Sequence, residues 1–128
     1  MIKAALVVGL GGFVGGSLRY ISVVWVNRKM EVDFPLAILL VNVAGSFAIG
    51  FMTPGFERFS WGGDTTLPLF LSVGLMGGFT TFSTFSLRTL RLMQSGSWGL
   101  AAINAVSSVL CCLVFVFVGF KLGQVLFR

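Results

Sequence analysis

Four long apolar stretches occupy most of this 128-residue chain, and they restrict its fold more than any other feature. A helix needs about 20 predominantly apolar residues to cross the hydrocarbon core of a bilayer. Only 10% of the residues are charged, whereas a soluble domain is about a quarter charged. We therefore predict an all-α membrane protein with a single four-helix transmembrane domain over residues 1–128. The predicted spans are Ala4–Val26, Pro35–Met52, Leu67–Met93 and Gly99–Phe127.

The third span is interrupted near its middle by a pair of glycines and a run of hydroxyl side chains. From Leu75 to Ser86 its sequence reads LMGGFTTFSTFS. Adjacent glycines and several Thr/Ser residues weaken a helix at a depth where lipid cannot satisfy a freed backbone group. We predict that the third helix is broken near its middle and that the break lies at a site for a small ion. The alternative is a continuous, glycine-rich helix packed closely on a neighbour.

Lysine and arginine residues are almost evenly divided between the two predicted sides of the membrane. Orientation normally follows an excess of Lys/Arg in cytoplasmic loops, and here neither side has a clear excess. This balance predicts insertion in both directions, with two opposite copies pairing as an antiparallel two-fold dimer. The alternative is a single topology fixed by one residue or one helix. The side with both termini carries Lys3, Arg58, Lys121 and Arg128, and the other carries Arg28, Lys29, Arg88 and Arg91.

Polar residues within the spans are nearly all uncharged, and three of them share one face of the fourth span. Asn104, Ser108 and Cys112 follow one another at intervals of four residues, so they form a continuous stripe on a helix. Amide, hydroxyl and thiol groups can all donate hydrogen bonds to an anion. The stripe therefore predicts a polar pathway, and the alternative is hydrogen bonding between helices.

The titratable residues argue against catalysis and against proton-coupled transport. The chain has no histidine, and all four of its acidic residues fall in the predicted loops Asn27–Phe34 and Pro54–Thr66. Proton-driven transporters usually need a carboxylate or histidine relay within the membrane. The adjacent cysteines Cys111 and Cys112 suit neither an unstrained disulfide nor a zinc site. We predict a protein that is not an enzyme and binds no nucleic acid, and passive conduction is the simplest remaining function.

Arg19 is the one cation predicted to lie well inside an apolar span. An intramembrane arginine is costly to desolvate, and a water-filled vestibule would accommodate it. The alternative is that its side chain extends from the end of the first helix to the interface. Together with the net charge of +5, Arg19 favours anions over cations at the mouth of a pathway.

Three motifs give the chain a resemblance to the Fluc (CrcB-type) fluoride channels over almost its whole length. The most specific is GGFTTFSTFS, which begins at Gly77 and ends at Ser86. GGSLRY at residues 15–20 and VNVAGS at residues 41–46 are weaker matches on their own. The length and the four-span layout agree as well.

The resemblance implies a passive fluoride channel that confers fluoride resistance, built as an antiparallel dual-topology homodimer in the inner (plasma) membrane. It places Phe82 and Phe85 on the ion path, where the positive edge of an aromatic ring can contact an anion. It also implies a central structural sodium ion held by the main-chain carbonyls of Gly77 and Thr80 from each subunit. The remaining path residues that it implies are Asn42, Ser83, Thr84, Asn104, Ser108 and Cys112.

One residue departs from the family pattern, and two other functions stay open. Many relatives carry an acidic residue two positions after the last serine of the motif, where this chain has Arg88. Some related subunits assemble only as heterodimers. A small multidrug-type exporter would share the size, the four helices and the dual topology, but it normally needs a membrane-embedded carboxylate in the first helix. A structural subunit without a pore of its own is the third possibility.

Overall fold

Helices account for the secondary structure throughout the described part of the chain, which in this computed structural model comprises residues 1–59 and 63–128. Helix α1 is Ile2–Lys29 and helix α2 is Leu36–Arg58. Helix α3 covers residues 66–79 and contains a π-helical stretch, Leu69–Met76. Helix α4 is Phe82–Gln94 and helix α5 is Trp98–Leu126.

The helices form four candidate membrane spans, as the hydropathy pattern predicted. Each of Ile2–Lys29, Leu36–Arg58, Thr66–Gln94 and Trp98–Leu126 is long and apolar enough to cross a bilayer. Large apolar side chains point outward along the spans, including Leu10, Phe13 and Leu113. An apolar exterior of this kind suits a lipid environment, so the predicted all-α membrane class is confirmed.

Helix α2 is longer than predicted, because the proline expected to begin a loop lies inside the helix. Pro54 belongs to α2, which continues to Arg58 instead of ending at Met52. Proline usually disrupts a helix. Here the Phe127 ring lies 3.2 Å from the position that a Cβ on Gly55 would take, so packing by the end of α5 stabilises the last turn. The loop predicted at Pro54–Thr66 is therefore wrong at its start, and its residues 60–62 lie outside the described part.

Glycines allow the helices to pack in two close pairs, α1 with α3 and α2 with α5. Gly11 and Gly15 of α1 are buried against the backbone of α3. A Cβ on Gly78 would lie 2.6 Å from the Gly12 carbonyl oxygen. In the second pair, Gly119 and Gly123 of α5 lie directly against the α2 backbone. Both pairs are therefore closed by backbone contact, which leaves no room for side chains larger than hydrogen.

Both chain termini lie at the same end of the bundle, as four crossings require. At this end the Phe127 ring packs on Phe51, with ring centroids 5.4 Å apart. Asp64 lies just before α3, where its Oδ1 accepts a hydrogen bond from the Thr66 N–H at 2.8 Å. Hydrogen bonds from Thr66, with a smaller effect of the Lys3 charge, hold the pKa of the Asp64 carboxyl below its ordinary value. The opposite end carries the α1–α2 and α4–α5 connections.

Candidate functional site

Two extended residues separate α3 from α4. Thr80 has φ −84° and ψ 156°, and Thr81 has φ −152° and ψ 117°. The sequence predicted a break within residues 75–86, from the paired glycines and the hydroxyl residues after them; Gly77 and Gly78 remain helical, and Thr80 and Thr81 are the extended residues. Gly78 is held in the helix by its contact with α1, whereas β-branched threonines adopt extended backbone readily. The change of conformation therefore follows the glycines instead of coinciding with them.

The side chain of Asn42 on α2 replaces the missing helical partners of Thr81. Its Nδ2 donates to the Thr81 carbonyl at 3.1 Å, and its Oδ1 accepts from the Thr81 N–H at 2.8 Å. A backbone N–H and C=O that are both removed from water need such partners. Asn42 was predicted on the ion path, and the structure places its amide in contact with the backbone between α3 and α4.

The hydroxyl of Thr81 caps the N-terminus of α4. Its Oγ1 accepts from the Thr84 N–H at 3.2 Å, which is the usual role of a threonine at a helix N-terminus. The same oxygen lies 3.1 Å from the Thr84 hydroxyl and 3.3 Å from the Ser83 hydroxyl. Ser83 and Thr84, two of the predicted path residues, thus lie in the first turn of α4 with their hydroxyls next to that of Thr81. Neither residue lines the groove described next.

A groove of about 450 Å³ runs beside the two extended residues. It is lined by four of the elements, α2, α3, α4 and α5, together with Thr80 and Thr81. Its surface is mostly apolar, with a few hydrogen-bonding side chains. Five of the predicted path residues line the groove: Asn42, Phe82, Phe85, Ser108 and Cys112. Ser46 and Ser72 also line it and add two further hydroxyls.

The two predicted aromatic residues form one wall of this groove. The centroids of the Phe82 and Phe85 rings are 5.2 Å apart, and their planes are inclined by 46°. Phe82 is 76% exposed, whereas Phe85 is partly buried. Both rings line the groove, and the positive edge of an aromatic ring favours negative charge.

The stripe predicted on the fourth span is divided by the structure. Ser108 and Cys112 line the groove, but Asn104 is 2% exposed and lies outside it. The Asn104 Nδ2 donates to the Thr89 Oγ1 at 2.9 Å, and the Thr89 hydroxyl donates to the Phe85 carbonyl at 2.8 Å. Sequence analysis did not identify Thr89 as a site residue, although its spacing of four residues from Phe85 places both on the same face of α4.

A second cavity, of about 580 Å³, opens at the end of the bundle away from the termini. It lies between the α1–α2 connection and the C-terminal half of α4. Glu31 and Asp33 line it from the connection, and Arg88 and Arg91 line it from α4. Arg19 lies on α1, partly buried, and lines neither cavity. We name the cavity between the α1–α2 connection and α4 the outer cavity.

The residues predicted to hold sodium lie at the open side of the groove. Gly77 is exposed, and a Cβ built on it would meet nothing within 4 Å. Because Thr81 donates its N–H to Asn42, that N–H does not serve the Gly77 carbonyl as it would in a continuous helix. Carbonyl oxygens freed in this way have the chemistry that a hard cation prefers. Within the described residues no group of three or more His, Cys, Asp or Glu side chains is placed to bind a metal.

Four apolar helical spans and a partly polar groove at the α3–α4 junction define a multi-pass membrane protein of the channel or transporter class. The family model described as "CrcB-like protein, Camphor Resistance (CrcB)" matches residues 6–120. The chain belongs to this family, which confirms the resemblance seen in its motifs.

Several relatives of known name are similar to the chain over almost its full length. A protein of Elusimicrobium minutum named "Fluoride-specific ion channel FluC" is 44% identical over 127 residues, 98% of each chain. Proteins with the same name from Clostridium perfringens and Thermus thermophilus are 41% and 40% identical. The first alignment covers 96% of this chain and 95% of the relative, and the second covers 98% and 97%.

Proposed function

We propose that the protein is a fluoride-specific channel that lets fluoride leave the cell passively and so confers fluoride resistance. The observation that carries the proposal is the groove, whose lining combines the Phe82 and Phe85 rings with the Ser108 hydroxyl and the Cys112 thiol. Full-length relatives named as fluoride channels support the choice of anion.

The chemistry of the groove suits a partly dehydrated anion. Hydroxyl and thiol groups donate hydrogen bonds, and the edges of the rings contribute positive electrostatic potential. A small anion that loses water in an apolar groove needs such replacements, because an unpaired charge is costly to bury. The mostly apolar lining offers no fixed cation that would trap the ion.

The placement of the acidic residues fits passive conduction better than proton-coupled exchange. Within the described chain, Glu31, Asp33 and Asp64 lie in connections, and Glu57 lies in the last turn of α2. Glu57 was predicted in a loop, and its place at the end of a helix still leaves it far from the middle of the span. The described spans therefore lack the central carboxylate that a small multidrug-type exporter normally uses.

The direct test is fluoride efflux from liposomes that contain only this protein. We expect fluoride efflux on a potassium gradient with valinomycin, measured with a fluoride electrode, and no measurable chloride efflux in matched vesicles. Protein-free liposomes are the control. A fluoride signal no larger than that of the control, or equal chloride efflux, would contradict the proposal.

We further propose that the extended residues lie within the bilayer, so that the third span is broken near its middle, and that two subunits pair antiparallel. Three features support pairing. The groove is open along one side, Gly77 is exposed beside it, and the basic residues are evenly divided between the ends of the bundle. A second copy would complete the wall of each groove. The inner (plasma) membrane is the location that follows for a bacterial-type exporter of cytoplasmic fluoride.

Topology can be tested by biasing insertion. Three lysines added after Arg128 are expected to favour termini-inside insertion, because orientation follows Lys/Arg near the ends of the spans. Fluoride resistance of cells should then fall, and co-expression of a copy biased in the opposite direction should restore it. Three added glutamines are the matched control. Tag accessibility from one side only in a fully resistant population would show that opposite copies are unnecessary.

A structural sodium ion is the final element of the proposal. The Gly77 and Thr80 carbonyls of two antiparallel subunits would supply oxygen ligands, and the exposure of Gly77 leaves the space for a partner. The ion would fix the two subunits at their common axis. This part depends on antiparallel pairing, so the topology experiment tests it as well.

A further inference from the structure

A buried layer separates the outer cavity from the groove. The two cavities lie one after the other along the same three helices. On α2, α4 and α5 respectively, Ile38, Leu92 and Leu100 line the outer cavity, and residues four, seven and eight positions away line the groove: Asn42, Phe85 and Ser108. Four of the residues between them are buried: Val41 at 3% exposed, Thr89 at 8%, Ala101 at 1% and Asn104 at 2%.

Thr89 and Asn104 are the polar members of this layer. Their hydrogen bond, 2.9 Å long, joins α4 to α5, and the Thr89 hydroxyl extends it to the Phe85 carbonyl at 2.8 Å. The bonded chain thus begins at a buried amide and ends at the backbone of a residue whose ring lines the groove. We call the Thr89–Asn104 pair the polar septum.

We propose that Thr89, the hydrogen-bond partner of the predicted path residue Asn104, is a further residue on the anion path and controls passage between the outer cavity and the groove. The inference rests on the proposed function, since it concerns the route by which an anion reaches Phe85. It adds a residue that lies next to Arg88, whose guanidinium side chain lines the outer cavity.

The hydrogen bonds of the septum can be exchanged for bonds to an anion. The Thr89 O–H can turn from the Phe85 carbonyl to the ion, and the Asn104 N–H can turn from the Thr89 oxygen to the same ion. Each donor then exchanges one acceptor for a charged one, and hydrogen bonds to charged groups are the stronger kind. An apolar layer of the same size would offer the ion no replacement for lost water.

The test compares three variants with the wild type in the liposome efflux assay. Thr89→Val keeps the shape of the side chain but removes its hydroxyl, and it leaves the buried Asn104 amide without its acceptor. Thr89→Ser keeps the hydroxyl. The double variant Thr89→Val/Asn104→Leu removes both polar groups, so that the layer is apolar without an unpaired amide.

We expect fluoride efflux to fall about tenfold or more in Thr89→Val and in the double variant, the scale of one lost hydrogen bond to a charged group. Thr89→Ser should stay close to wild type. The melting temperature in detergent should fall in Thr89→Val and recover in the double variant, while efflux should not recover. This divergence separates a role in ion passage from a role in folding.

Three results would overturn the inference while leaving the proposed function intact. Recovery of efflux together with stability in the double variant would reduce Thr89 to a structural partner of Asn104. Efflux above wild type in any variant would mean that the septum is only a barrier. Loss of efflux in Thr89→Ser equal to that in Thr89→Val would show that the hydroxyl is not the controlling group. Wild-type protein without fluoride efflux would overturn the proposed function and this inference with it.

Discussion

Replacement of Asn42 by leucine is expected to destabilise the folded chain and to abolish fluoride efflux. The leucine cannot bond the Thr81 N–H and carbonyl, which the Asn42 amide now holds at 2.8 and 3.1 Å. A buried polar group left without a partner costs about 1–3 kcal/mol, so losing both bonds should cost several kcal/mol. Thermal unfolding in detergent measures the loss of stability, and the liposome assay measures the loss of efflux.

Thr53→Val is the matched control for this experiment. Thr53 is also on α2, and its hydroxyl donates at 2.7 Å to the Ile49 carbonyl of its own helix. Removal of that bond leaves the helix intact, so stability and efflux should change little. An Asn42→Leu variant as stable as Thr53→Val would show that the Thr81 backbone has another source of partners.

Replacement of Phe82 or Phe85 by isoleucine is expected to reduce fluoride efflux by up to about tenfold, because it removes a ring edge worth up to about 1.5 kcal/mol beyond its apolar area. Isoleucine keeps most of the apolar bulk, so the fold should persist. Phe82 is 76% exposed in the single subunit, and its substitution should disturb internal packing least. Efflux from liposomes measures the effect, and elution volume in detergent checks the assembly.

Phe115→Ile is the control for the aromatic variants. Phe115 is an exposed ring on α5 that does not line either cavity. It should keep wild-type efflux. If Phe82→Ile and Phe85→Ile also kept it, the two rings would have no part in conduction, and the groove would need a different account of its selectivity.

The spans could be predicted from the sequence because bilayer thickness fixes the length of an apolar helix. The structure moves most of their ends by only a few residues. The exception is the end of α2, where packing by Phe127 outweighs the local preference of Pro54. The extended residues Thr80 and Thr81 fall within the stretch where local signals predicted a break, but the close approach of Gly78 to α1 joins segments that are distant in sequence and could not be predicted.

The partners of the polar side chains could not be predicted, because they join residues far apart in the chain. Asn42 and Thr81 are 39 residues apart, and Thr89 and Asn104 are 15 apart. A helical stripe shows which residues share a face, but not what that face meets. For this reason Asn104, Ser108 and Cys112 were grouped together, although Asn104 bonds within the protein and the other two line the groove.

The shortness of α4 has a consequence for biosynthesis. Its 13 residues extend for about 20 Å at 1.5 Å per residue, less than the roughly 30 Å of a hydrocarbon core. Helix α4 also carries Arg88 and Arg91, so the translocon would not release it into lipid by itself. It must enter together with α3, and Asn42 has by then been synthesised and can receive Thr81. Thr89 obtains its partner Asn104 only after α5 has emerged from the ribosome, so α4 is attached first at its N-terminus through Thr81 and only later at Thr89.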